Sequence, residues 1–175
     1  MATVKHGRDA RFLWLAEGNA KQARKRVSAK VIMRDQTGRI LLVNPTYKEY
    51  WDLPGGMVEA NEPPRAAAER EIVEELGFQA KIGHLLEIDW IGPHGPWDDQ
   101  LIFTFDGGTL ANATIKELKV ADNEISEFGF FSASNASRLL RKDVAQRLMR
   151  TVKSLETGRV CYLEYAQQNE KEITS

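Results

Sequence analysis

The stretch LPGGMVEANEPPRAAAEREIVEELGF, residues 53–78, limits what this 175-residue chain can fold into more than any other part of it. The double glycine Gly55-Gly56 closes a loop, and Pro64 suits the first turn of a helix, where its missing N–H is not needed. Gly77 stands where such a helix would stop. A helix from Pro64 to Leu76 is therefore expected. At 3.6 residues per turn, Glu71, Glu74 and Glu75 share an arc of about 100° and face a single point. Ala68, Ile72 and Leu76 lie on another side and would dock the helix on a sheet. Ala67 projects from the acid face one turn before Glu71, and its small side chain is expected to leave space there.

Like charges one turn apart destabilise a helix by roughly 0.2–0.5 kcal/mol per pair, so three crowded carboxylates call for a compensating cation. Clustered oxygen ligands without convergent His or Cys suit Mg²⁺, with Mn²⁺ as the alternative, rather than zinc. His6, His84 and His94 are scattered without metal-ligand spacing and are expected to be structural or surface residues. An exposed acidic helix face explains the same residues more plainly, and spacing alone leaves both readings open.

Around that helix, RVSAKVIMRD and RILLVN read as two strands joined by a turn at Asp35–Gly38. QAKIGHLLEIDWI, QLIFTFDGG and ISEFGFFS read as further strands. Val144, Leu148, Val152 and Leu155 recur at helical spacing as a core-facing stripe, and Gly158 ends that helix. Strands and helices interleave without a long linker, which predicts one mixed α/β domain. Residues 1–26 are expected to form an arm, helical or loose, residues 27–160 the domain, and residues 161–175 a tail.

The net charge of −1 gives no global pull towards nucleic acid or an anionic membrane. The basic run KQARKRVSAK, residues 21–30, is expected to be a solvated helix end. Cys161 is the single cysteine and cannot close an internal disulfide, which fits a reducing compartment. FLWLA is too short for a signal peptide or a membrane span, so a cytoplasmic chain is expected. A homodimer is compatible with these features.

Gly56, Glu62, Arg70, Glu71, Ile72, Glu74, Glu75, Gly77 and Phe78 fill every defined position of G-x5-E-x7-R-E-U-x-E-E-x-G-U, where U is bulky and apolar. The segment resembles a complete Nudix box, and the flanks GRILLVN and WDLPGG resemble MutT-like members. The looser likeness runs from Val27 to Phe131. The resemblance implies the Nudix fold, an α/β/α sandwich around a mixed β-sheet, with the box as loop–helix–loop. It also implies hydrolysis of a nucleoside diphosphate linked to some group X, using Mg²⁺ or Mn²⁺.

Carried over by position, Glu71, Glu74 and Glu75 match the family's metal-binding glutamates, and the carbonyl of Gly55 matches a backbone metal ligand. Arg70 matches the arginine that orients an acid, and it can pair with Glu74 one turn on. Gly56 and Glu62 match structural positions, Glu62 tying the loop to the helix. Glu59 either bridges waters near the metal or faces solvent. The general base is Glu71 or, by likeness to a downstream glutamate of MutT-like enzymes, Glu124. Tyr47 and Trp97 are the candidates for stacking on a base, together with Tyr50 and Trp90, although packing is the commoner role of each such aromatic. Pro93 falls near a marker proline of ADP-ribose-cleaving members. The substrate expected is a small nucleotide, with nucleoside triphosphates first and ADP-ribose or a nucleotide sugar as the alternative. A non-catalytic nucleotide-binding module is disfavoured because no box residue is lost.

Overall fold

The computed structural model describes the backbone of residues 3–165 and the side chains of residues 9–164. His6 and residues 166–175 of the expected tail therefore lie outside the described side chains. Six strands form one sheet in the order β5-β2-β1-β4-β3-β6. They are β1 (Arg26–Arg34), β2 (Ile40–Pro45), β3 (Leu85–Ile91), β4 (Gln100–Thr109), β5 (Ile125–Phe131) and β6 (Cys161–Tyr165). β1 runs parallel to β4, and β3 runs parallel to β6; the remaining neighbours are antiparallel. The sheet is thus mixed, as expected.

The hairpin β1–β2 turns on Asp35. Its Oδ1 accepts the Thr37 N–H at 2.8 Å and the Arg39 N–H at 2.9 Å, while Oδ2 accepts Arg39 Nε at 2.6 Å. Burial works to raise the Asp35 pKa, but these donors outweigh it and hold the carboxyl at about 2.

Alternation along β1 sends its side chains to two separate cores. Ala29, Val31 and Met33 face helix α2 (Pro64–Leu76), which presses Ala67, Ala68, Ile72 and Leu76 onto them with no exposure. Ile32 faces the other core, built with helices α4 (Ala133–Leu139) and α5 (Lys142–Thr157). Helices therefore cover both faces of the sheet, which is the α/β/α sandwich. α2 ends on Gly77 in the left-handed region at φ 63°, where its N–H donates to Val73 O at 3.0 Å.

Several expectations change here. Ala67 opens no space on the acid face: it is fully buried, packed in the same core as Ala68, Ile72 and Leu76. Cys161–Tyr165, expected as the start of a tail, pair with Glu87–Ile91 and form a sheet edge. Of the α5 stripe, Leu148 is fully buried and Val144, Val152 and Leu155 are partly buried against the same core. That stripe also carries buried Arg147, Thr151 and Ser154. The short helices α3 (Asn112–Glu117) and α4 gave no periodic signal, being six and seven residues long.

In the arm, helix α1 (Thr3–Ala20) leaves Phe12, Leu13, Trp14 and Leu15 between 51% and 71% exposed. Among the described residues no helix is long and apolar enough to cross a membrane.

Candidate active site

Arg70 is the hub of the acid face. It donates to Glu71 Oε1 at 3.0 Å and Glu74 Oε2 at 2.9 Å, both through Nη1. The same side chain reaches back to Glu62 at 3.0 Å through Nε and again through Nη2, and to the Met57 carbonyl at 2.9 Å. Glu62 in turn accepts the Glu59 N–H at 2.9 Å. The glycine loop is thereby fastened to the helix through Glu62 and Arg70. Hydrogen bonds, first from Arg70 and then from the Glu59 backbone, pull the Glu62 pKa below its ordinary value. The pairing with Glu62, outweighing burial, pushes the Arg70 pKa up.

The three box glutamates do not share one environment. Glu75 is buried and accepts the Gly55 N–H at 2.9 Å. Burial lifts its carboxyl to about 7, although Lys30 pulls the other way. Burial also raises Glu71, with Arg70 opposing. The Glu74 side chain is half exposed. Gly56 lies directly against Glu71: a Cβ there would sit 2.5 Å from Oε1, so only glycine lets the carboxylate approach. Among the described residues, no three acid, His or Cys side chains are gathered tightly enough to hold an ion as they stand. Arg70 holds Glu71 and Glu74, and Glu75 turns towards Gly55.

Beneath the loop lies a second cation. Lys30 Nζ donates to the carbonyls of Gly55 and, at 3.1 Å, Leu53, and to Asp52 Oδ2 at 3.3 Å. Burial lowers its pKa, but Asp52 and then Glu75 offset this, leaving the ammonium above the ordinary lysine value. Burial likewise raises Asp52, but Lys30 and Lys48 bring it to about 2. Lys30 belongs to the basic run expected to be solvated, and its place inside β1 is a correction. Ser28 and Ala29 of that run are buried as well, and only residues 21–25 are exposed. The Lys25 ammonium pairs with Asp99, and the Arg26 guanidinium stacks 4.6 Å from the centre of the Trp97 ring.

Two cavities of opposite charge meet at this loop. The first, of about 630 Å³, is lined by Glu59, Glu71, Glu74, Asp122 and Glu124, with Arg70 as its one cation. Glu124 thus shares one groove with Glu71 and Glu74, far from it in sequence, while Glu75 lines neither cavity. The second, of about 480 Å³, carries Lys30, Lys48, Arg141 and Arg147 against Asp52 and Asp143, and an aromatic wall of Tyr47, Tyr50 and Trp51. Met57 borders both, and Gly55 and Gly56 border the second. Tyr47 is therefore in place beside the site. Trp97 lines neither cavity and instead stacks with Arg26. Nor does Trp90, which donates Nε1–H to Asp99 at 2.8 Å. His94 lines the second cavity, and His84 is exposed near Asp106.

The sequence assigns no site role to Lys30, Lys48, Asp122 or Arg147. A single lysine inside the apolar run SAKVIM, and an arginine inside the α5 stripe, were the signals available.

The fold agrees with comparison to known proteins. A family model, the NUDIX domain, matches residues 24–153. The chain belongs to the Nudix family. A diphosphoinositol polyphosphate phosphohydrolase 2 of Rattus norvegicus is 41% identical over 66 residues, which is 37% of this chain and 37% of that protein. The chain therefore matches just over a third of the length of that curated relative. The crystal structure of a MutT protein from Methanosarcina mazei Go1 superposes with a TM-score of 0.64 at 21% identity, covering 77% of this chain and 99% of that one. A C. elegans Ap4A hydrolase superposes at 0.59 and 17% identity, over 77% of this chain and 99% of that one. At these identities the structures speak for the fold.

Proposed function

We propose that this chain hydrolyses a diphosphate linkage in a nucleoside diphosphate derivative, nucleoside triphosphates included, with Mg²⁺ or Mn²⁺. The observation that carries this reading is the pairing of an acidic groove with a basic cavity across the strip Gly55–Met57. The acids suit a cation, the bases suit an anion, and a diphosphate lying across the strip would touch both. The aromatic wall of Tyr47, Tyr50 and Trp51 suits a nucleobase.

Glu71, Glu74, Glu75 and the Gly55 carbonyl fit a divalent ion in donor type, all being hard oxygens with no sulfur or imidazole among them. The half-buried Glu71, its pKa raised by desolvation, and Gly56, with no Cβ to block the carboxylate, agree with that fit. When bound there, the ion would offset charge on the diphosphate and make a water easier to deprotonate. The remaining work falls to the chain. Arg70 orients Glu71 and Glu74. Lys30 holds the Asp52–Gly55 turn against β1. Glu71 or Glu124 takes the proton of the attacking water, both facing the same groove.

A second reading is a diphosphorylated polyol phosphate. The excess of cations in the second cavity and the name of the 41%-identical relative favour it. A panel of nucleoside triphosphates, ADP-ribose, nucleotide sugars, dinucleoside polyphosphates and diphosphoinositol polyphosphates, with products identified by mass, tests both. The expected result is phosphate or nucleotide release that requires Mg²⁺ or Mn²⁺ and is lost in Glu74→Gln. Binding without turnover across the whole panel would instead favour a nucleotide-sensing module.

A further inference from the structure

Arg147 occupies the core-facing stripe of α5, three residues after Val144 and four before Thr151, and it is only 5% exposed. A buried guanidinium carries a desolvation penalty of several kcal/mol that pairing alone seldom recovers, and an apolar pair of the same volume often serves stability as well or better. Packing therefore does not account for an arginine here.

The pairing is specific. Arg147 Nε donates to Asp89 Oδ2 at 2.9 Å, and Arg150 Nη2 donates to the same oxygen at 2.9 Å. Asp89 is 1% exposed on β3. Arg150 also reaches Glu87 Oε1 at 2.7 Å, so it is occupied on the sheet side. Arg147 differs, because it lines the basic cavity while Asp89 grips it from behind. Lys30 and Lys48, in the same cavity, are both spoken for by Asp52. Lining cations outnumber lining carboxylates by four (Lys30, Lys48, Arg141, Arg147) to two (Asp52, Asp143).

We propose that Arg147, positioned by Asp89, is the specificity-determining anchor for a second phosphate, one carried by the group X beyond the scissile diphosphate. The inference rests on the reading above, in which one substrate spans both cavities. A guanidinium is the side chain for this task, since it offers parallel N–H donors to phosphate oxygens while one edge stays bound to a carboxylate. A substrate whose X ends in a neutral sugar would gain nothing from it.

The test has a kinetic arm and a binding arm. ADP-ribose is compared with ADP-ribose phosphorylated on its terminal ribose, two substrates that differ only in the second phosphate. In Arg147→Gln, KM for the phosphorylated substrate is expected to rise about ten- to hundredfold with kcat nearly unchanged, the loss of charge-assisted hydrogen bonds. KM for ADP-ribose, whose diphosphate also meets the basic cavity, is expected to rise at least several-fold less. Equal shifts for both substrates, or no shift for either, would overturn the proposal. In the binding arm, inositol hexakisphosphate is titrated in EDTA with tryptophan fluorescence as the signal, Trp51 being the tryptophan that lines the cavity. Wild type is expected to bind at least tenfold more tightly than Arg147→Gln, and equal affinity would overturn the assignment. Should Arg147→Gln fail to fold, Arg147→Lys replaces it, with a several-fold loss confined to the phosphate-bearing ligand. Arg147-dependent binding without turnover of any substrate would defeat the hydrolase reading and leave the anchor standing. Turnover indifferent to Arg147 would do the reverse.

Discussion

At the scale of single residues, Glu75 sets a pH dependence that runs against the usual carboxylate. Its folded pKa, lifted by burial to about 7, lies above the ordinary 4.5. Between those two values the folded chain binds more protons at this group than the unfolded chain does. Stability therefore falls as pH rises through that window, by about 3 kcal/mol from this group once it is fully ionised. Glu75→Gln removes the penalty. Melting temperatures measured from pH 5 to pH 8 should fall less in the variant than in wild type, and the variant should be the more stable of the two at pH 8. Parallel curves would show that Glu75 is not the source. Lys30 works on the same cluster from below. In Lys30→Met, the ammonium shared by Asp52 and the carbonyls of Leu53 and Gly55 is lost, leaving Lys48 as the cation on Asp52. Breaking a buried pair costs about 3–5 kcal/mol when the remaining charge is left uncompensated. With Lys48 still on Asp52, urea unfolding of the variant should show a smaller loss of about 1–3 kcal/mol, the cost of carbonyls left without their donor.

At the scale of elements, the loop–helix unit depends on two adjacent glycines for different reasons. Gly55 has φ +114°, and a Cβ there would lie 2.2 Å from the Ala29 carbonyl oxygen on β1, a backbone atom with no freedom to move away. Gly55→Ala should destabilise the fold by about 2–4 kcal/mol in urea unfolding, combining strain with overpacking. At Gly56 the clash is with the Glu71 carboxylate, the end of a side chain that can swing aside. Gly56→Ala should keep most of the stability and lose the activity, because Glu71 is displaced. The contrast between the two variants is the measurement.

This unit was also the most legible part of the sequence, because everything that defines it is local. Pro64 opens the helix, Gly77 closes it in the left-handed region, and Arg70 meets Glu74 one turn on. What escaped was non-local. Lys30 meets Gly55 across 25 residues, and Arg147 meets Asp89 across 58. Neither pairing leaves a periodic trace. Ala67 was misplaced for a related reason: a helical wheel gives direction, but how closely β1 presses against that side depends on the sheet. β6 was missed because it joins the edge only by pairing with β3, a partner some seventy residues earlier in the chain.

At the scale of the whole molecule, the net charge of −1 conceals a separation, with acids on one side of the Gly55–Met57 strip and bases on the other. α1 stands apart from that design. Phe12, Leu13, Trp14 and Leu15 are consecutive, so they point around the helix rather than along one stripe, and each remains at least half exposed. None of the four removes much apolar surface from water, and burial is what an apolar side chain contributes to stability. Replacing all four by glutamine should therefore move the thermal midpoint by no more than about 4–8 °C. Surface changes away from packing and caps stay within roughly ±0.5 kcal/mol each, and about 1 kcal/mol shifts a chain of this size by about 2–4 °C. Turnover should also be unchanged, because none of the four lines either cavity. A larger drop in the quadruple variant would mean that this helix packs against the domain in solution. The domain's cohesion would then draw on the arm as well as on the two cores that flank the sheet.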